Sequence, residues 1–202
     1  MHVPLTIVDP ACGTGAITRL IAQALPGYGR SAHIIAIDPS PEALRRAQKQ
    51  MEQSAVPVEF LQGEAADLPR LVSFADAVFF CNAIHLLSET GAAFQDIASL
   101  LAPGGIFACN TVFYEGTSTD GTLRFGRLWI RRAVGWLRKE HPDALFAREA
   151  KTLALQWLTP EEYEDLLHTS GFGRVKMTWE RVMMSLGGLR DLGQYGLLIE
   201  GA

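Results

Sequence analysis

The sequence has no apolar run approaching the roughly 18 residues that a bilayer-spanning helix needs, so no membrane insertion is expected. It has little cysteine. Cys12, Cys81 and Cys109 are odd in number and widely separated, which excludes paired zinc spacing and an even disulfide framework and leaves a reducing compartment as the expectation. It also lacks a positive balance: 18 Lys and Arg stand against 22 Asp and Glu, giving a net charge of -4. That balance carries no overall electrostatic footprint for nucleic acid or for an anionic membrane surface. Met1-His2-Val3-Pro4 has neither the basic stretch nor the apolar stretch of a signal peptide, and a cytoplasmic setting follows as the expectation. Internal repeats and low-complexity tracts are missing too. What is present is an ordinary globular composition, 48% hydrophobic and 20% charged over 202 residues, long enough for one domain with a sizeable core.

The apolar pattern alternates between two periods. Leu5 to Val8 is a short apolar run leading into Asp9, Pro10 and two glycines, which predicts a buried strand entering a glycine-rich turn. Ile17, Leu20, Ile21 and Leu25 follow at helical spacing until Pro26-Gly27. Further strands are expected over His33–Ile37, Val56–Leu61, Asp76–Cys81 and Ile106–Val112. Ser40-Pro41-Glu42 starts a helix expected to reach about Gln53, and another is expected over Gly91–Leu101 before the turn Pro103-Gly104-Gly105. Near-continuous apolar strands alternating with helices imply an α/β, doubly wound, mostly parallel sheet covered on both faces. Ligands of such sheets bind beyond the carboxyl ends of the strands at the switch point, where Asp9, Asp38, Glu64 and Asn82 fall.

After Val112 the rhythm breaks. Residues 113–152 read as an inserted helical lid within one domain spanning 1–202, with a helix-like stretch around Leu128, Trp129, Ile130, Val134, Trp136 and Leu137 and another from Pro142. Thr159-Pro160-Glu161-Glu162 opens a further helix ending at Gly171, and Val175–Trp179 and Tyr195–Glu200 are expected to close the sheet, joined by the Gly-rich stretch 187–193.

A glycine-rich turn between a first strand and helix brings backbone N–H groups close to a ligand. A dinucleotide fold wants G-x-G-x-x-G; Gly13 and Gly15 fit, but Thr18 occupies the third position. A tight turn with no ligand is the plainer reading of two glycines. Asp38 can accept both hydroxyls of a ribose or cap a helix, although Ser40 already suits the cap. Glu64 can accept from an amino group or simply occupy a surface loop.

The pieces Ile7-Val8-Asp9-Pro10-Ala11-Cys12-Gly13-Thr14-Gly15, Ala36-Ile37-Asp38-Pro39-Ser40-Pro41-Glu42, Gln62-Gly63-Glu64-Ala65-Ala66-Asp67-Leu68-Pro69, Phe74-Ala75-Asp76-Ala77-Val78 and Leu100-Leu101-Ala102-Pro103-Gly104-Gly105, in that order, resemble the class I S-adenosylmethionine-dependent methyltransferases. The resemblance is to the small-molecule branch with ubiquinone- and menaquinone-biosynthesis-type enzymes. It implies a seven-stranded sheet with an antiparallel last strand and S-adenosylmethionine as cofactor. It implies further that Asp9 and the backbone of Ala11, Cys12, Gly13, Thr14 and Gly15 face the methionine part of the cofactor. Asp38, with Pro39 beside it, would hold the ribose; Glu64 and the Ala65 amide would read the adenine; Cys81 and Asn82 would lie beside the sulfonium. The sequence departs from the family in Ala at 11 instead of Gly, in Glu instead of Asp at 64, and in starting almost at the first strand. Either cover for the site is therefore expected from residues 113–152 or from a second subunit of a homodimer, or the chain is a shortened form of the family.

The loop also resembles that of amino-DNA methyltransferases, but those need a polar-Pro-Pro-aromatic motif after strand four. Cys81-Asn82-Ala83-Ile84-His85 has no proline, so a small-molecule acceptor at O, C or N is expected and a nucleic-acid substrate is not. His85 is the candidate general base, at the mouth after strand four, against a plainer role in shaping the pocket. His141 and Tyr114 are weaker candidates. Phe113, Tyr114, Phe125, Trp129 and Trp136 could line an apolar acceptor pocket or form a packing stripe, and the Arg124/Arg127/Arg131/Arg132/Arg138/Lys139 cluster reads most simply as a solvated helix face. A reading from a different class is a catalytically silent binding domain that keeps the cofactor fold.

Overall fold

The computed structural model describes residues 3–112, 114–117, 119–140, 157–183, 185, 187 and 188. The expected strand Tyr195–Glu200, the second lid helix from Pro142, Phe113, His141 and most of the Gly-rich stretch lie outside the described residues.

Five strands build the sheet: β1 (Leu5–Pro10), β2 (Ala32–Asp38), β3 (Val58–Gln62), β4 (Ala75–Cys81) and β5 (Leu101–Asn110). All pair in parallel, in the order β3-β2-β1-β4-β5. The chain winds outward from β1 to β3, then returns to lay β4 on the other side of β1, so the switch point lies between β1 and β4. Successive strand residues point to opposite faces, and the core follows that alternation. Ile7 and Ile34 pack with Ala22, Met51 and Val56 on one face. Val8 and Ile35 pack with Leu68, Val78, Phe80 and Ile97 on the other. Helices α1 (Ala16–Ala24) and α2 (Pro41–Met51) cover the first face; α3 (Leu68–Leu71) and α4 (Thr90–Leu100) cover the second.

Local chemistry sets the helix starts. In α2, Ser40 accepts from the Ala43 amide at 3.2 Å, Pro41 takes the first turn, and Glu42 pairs with Arg45 and Arg46. In α6 (Pro160–Thr169), Thr159 and Glu162 form a reciprocal capping box, with bonds of 3.1 and 2.8 Å.

The structure corrects two expectations. Pro103-Gly104-Gly105 does not precede β5 but lies inside it: Leu101 pairs with Ala75 and Ile106 with Ala77, so residues 102–105 bulge opposite Asp76. A Cβ on Gly105 would sit 2.9 Å from the Ala102 carbonyl oxygen, which is why the bulge takes glycine there. β5 then ends at Asn110, leaving Thr111 and Val112 beyond it. Second, Val175–Trp179 carries no strand. The segment faces Phe107, Cys109 and Asn110 of β5 across a cavity of about 360 Å³, and ladder hydrogen bonds need strands about 4.8 Å apart. Of the expected lid, the described residues show one long helix, α5 (Asp120–Glu140), and among the described elements none packs extensively against it.

Candidate functional site

The turn from β1 to α1 is closed by backbone bonds. The Cys12 amide donates to the Ile37 carbonyl and the Gly15 amide to the Cys12 carbonyl, both at 2.9 Å. Gly15 has a left-handed φ of 86°, and a Cβ on it would meet Ala47 of α2 at 2.9 Å. Glycine there permits both the turn and the approach of the two helices. Gly13 is left-handed as well, and space above its Cα is open.

Asp38 joins this loop to the end of β2. One carboxylate oxygen accepts from the Gly13 amide at 2.8 Å, the other from the Ser40 amide at 2.9 Å. A carboxylate has about four acceptor positions, so two remain for a ligand at a residue 8% exposed. Asp9 lies under the loop, only 1% exposed, and accepts from the Thr18 hydroxyl at 2.6 Å. Burial, opposed by the Thr18 bonds and aided by Asp38, pushes the Asp9 carboxyl up to about 6. Among the described residues neither acid has an ion-pair partner. The centre is therefore rich in acceptors and short of compensating charge. It favours a ligand that brings positive charge together with hydroxyl or amino donors.

Among the described residues, two besides glycine adopt left-handed backbone: Ala11 (φ 55°) and Asn82 (φ 53°). They follow β1 and β4, the neighbouring strands that flank the switch point, and strain of this kind gathers at functional sites. The Asn82 amide is held by both the carbonyl and the side-chain oxygen of Asn110, at 3.0 and 2.8 Å. Cys12 and Cys81 border the same crevice. Burial first, then the nearby acids, raise their thiols to about 12 and about 11, so both stay protonated at neutral pH and neither is a nucleophile. Glu64 is exposed after β3, its amide donating to Asp67 at 2.9 Å, and Ala65 follows at the start of a short 3-10 turn. A Cβ on Gly63 would fall 2.6 Å from the end of the Leu71 side chain, which would have to shift.

His85 is 6% exposed in a 3-10 turn after β4, with Nδ1 3.1 Å from the Thr111 hydroxyl. Burial lowers its pKa below the ordinary 6.5, so the imidazole is neutral at pH 7. Tyr114 lies further out and lines the cavity beside β5. The strand ends thus bring together Asp9, the 11–15 loop, Asp38, Cys81 and Asn82, while His85 sits with Thr111 on the β4–β5 side and Trp129 and Trp136 on α5 stand exposed. Three partners were not read from sequence: Thr18, Asn110 and Thr111. Thr18 had a signal, since it fills the position where the dinucleotide pattern wants glycine; Asn110 and Thr111 are polar residues closing an apolar strand.

Residues 7–105 match the methyltransferase domain family. The chain is 25% identical over 171 residues to a ubiquinone biosynthesis O-methyltransferase of Cereibacter sphaeroides, covering 85% of this chain and 61% of the relative. It is 29% identical over 102 residues to a demethylmenaquinone methyltransferase of Thermus thermophilus, covering 50% of this chain and 44% of the relative. The chain thus spans less than two thirds of the length of these curated relatives. Its fold matches a chain of the solved complex between the Haloferax volcanii Trm112 methyltransferase activator and a methyltransferase, with a TM-score of 0.56, 20% identity and coverage of 85% and 62%. Family match and acid-lined switch point agree: residues 7–105 form a methyltransferase domain of the class I, S-adenosylmethionine-dependent kind.

Proposed function

We propose that this protein transfers a methyl group from S-adenosylmethionine to a small, largely apolar acceptor by in-line displacement, releasing S-adenosylhomocysteine. The observation that carries the reading is Asp38, which ties the glycine loop to β2 yet keeps acceptor capacity beside a buried Asp9 that no cation among the described residues pairs with. The donor chemistry fits: S-adenosylmethionine is cationic at sulfur and nitrogen and carries ribose hydroxyls and an adenine amino group, and it supplies a methyl already activated by its sulfonium. In this reading the open amides of the Ala11–Gly15 loop hold the methionine portion and Asp38, with Pro39, the ribose. Glu64 and the Ala65 amide read the adenine, and Cys81 and Asn82 border the reacting centre. Asp9, beneath the loop, acts through its charge and its bond to Thr18.

The protein's main contribution is alignment of acceptor and methyl. Where the acceptor is a hydroxyl, His85, neutral and braced by Thr111, takes its proton. Three unpaired thiols suit the expected cytoplasmic setting. An antiparallel closing strand over Tyr195–Glu200 belongs to the same reading.

Calorimetry of the full chain with S-adenosylmethionine, S-adenosylhomocysteine and NADH tests the cofactor: the first two bind and the third does not. Failure of both sulfur ligands to bind folded protein overturns the proposal. His85→Gln should lower kcat for a hydroxyl acceptor by about 10²–10⁴-fold while leaving S-adenosylhomocysteine affinity unchanged. Equal kcat would remove His85 from the chemistry.

A further inference from the structure

Helix α5 is chemically unlike the rest of the chain. It holds six of the 18 basic residues and two of the 22 acidic ones. At 21 residues it is about 30 Å long. At about 100° per residue, Arg124, Arg127, Arg131, Arg132, Arg138 and Lys139 fall within an arc of about 140°. Phe125, Trp129, Ala133, Val134 and Trp136 occupy the remaining arc, and Leu128 alone among these apolar residues falls within the basic one. The aromatic side chains are in the open: Phe125 is 53% exposed, Trp129 54% and Trp136 58%. On the basic side Gly135 leaves a gap between Arg127, Arg131 and Arg138, forming a shallow groove.

We propose that α5 is a docking surface for an anionic phospholipid bilayer, lying in the headgroup plane with its aromatic edge turned into the acyl boundary. A basic arc beside an exposed aromatic arc on one long helix is the pattern that binds such an interface, and tryptophan favours that depth. Charge complementarity selects this occupant. A second copy joined α5 to α5 would bring two basic helices side by side. A nucleic acid would engage the basic arc but leave the aromatic edge in water. The whole-chain charge of -4 conceals this site because composition averages a cationic helix with an acidic body. The helix lies on the membrane, not through it; no described helix is long and apolar enough to cross one.

The test is co-sedimentation of the full chain with vesicles of phosphatidylcholine alone and of phosphatidylcholine mixed with phosphatidylglycerol, across a salt series. Binding is expected to the mixed vesicles only, weakening as salt rises. The triple variant Arg124→Gln, Arg127→Gln, Arg131→Gln should lose on the order of a hundredfold in affinity, at about fivefold per charge. The double variant Trp129→Ser, Trp136→Ser should abolish the blue shift in tryptophan emission on binding. Each variant should keep its far-ultraviolet spectrum and its affinity for S-adenosylhomocysteine, which separates this inference from the methyl-transfer reading. No binding of folded protein to mixed vesicles overturns the proposal. So does undiminished binding by the triple variant, an α5-dependent dimer that excludes vesicles, or capture of a single-stranded oligonucleotide in preference to them.

Discussion

The sheet and α5 both carry large apolar side chains and treat them in opposite ways. Val8, Ile34, Val78 and Phe80 are essentially removed from water between two helical layers. Phe125, Trp129 and Trp136 spend more than half of their surface in it. A side chain inside the sheet adds roughly 1.5–3 kcal/mol by burial, so it serves the fold. An aromatic left exposed on α5 adds little to folding and is available to bind. The comparison separates the residues that make this protein stand from those that let it meet something else.

The largest expected effect attacks the sheet. Phe80→Ala should cost about 3–5 kcal/mol in a urea titration, whereas Trp129→Ala on α5 should change stability by no more than about 0.5 kcal/mol. Comparable losses would erase the distinction.

Asp9 sharpens it, because this buried group should serve function at the expense of stability. Its carboxyl sits near 6 in the folded protein against 3.8 ordinarily. The folded state therefore holds the proton more tightly than the unfolded chain, and ionised Asp9 opposes folding above pH 6. Asp9→Asn, which keeps an acceptor for Thr18, should stabilise the protein by roughly 2–3 kcal/mol above pH 6. That advantage should fade as pH falls through 6 toward 3.8, where the wild-type carboxyl is protonated, and thermal unfolding across that range reads it. The same substitution should weaken S-adenosylmethionine binding. In the wild type, affinity measured by calorimetry should fall as pH drops below about 6, where the negative charge is lost. Stabilisation without loss of affinity would leave Asp9 as a residue of the fold alone.

Ala11 is the smaller case. Its left-handed φ of 55° strains an L-residue, and Ala11→Gly should raise the unfolding free energy by about 1 kcal/mol. Asn82, also left-handed, belongs to a type that tolerates the conformation, so Asn82→Gly should gain less. Chemical denaturation of both variants ranks the two strains.

Much of this was legible before any coordinates. Buried parallel strands show as continuous apolar runs, and Ser40-Pro41-Glu42 announces its helix because capping is local. Asp38 and the 11–15 loop could be singled out because glycines and acids at strand ends interrupt those runs. Less legible were contacts between distant positions. Thr18 reaches Asp9 only once α1 packs behind β1; Asn110 meets Asn82, and Thr111 meets His85, only because β5 lies beside β4 in register. Pro103-Gly104-Gly105 resembles a turn in sequence and becomes a bulge because strand pairing resumes on both sides of it.

The sequence alone determined the order of strands and helices, the acids at their ends and the cationic character of residues 124–139, since periodicity, capping and charge are properties of neighbours along the chain. Tertiary structure alone decided which acid is buried and charged against its preference, which polar residues brace the site, and that the aromatics of α5 face water. Burial and electrostatic environment depend on neighbours in space, and those exist only once the sheet has formed.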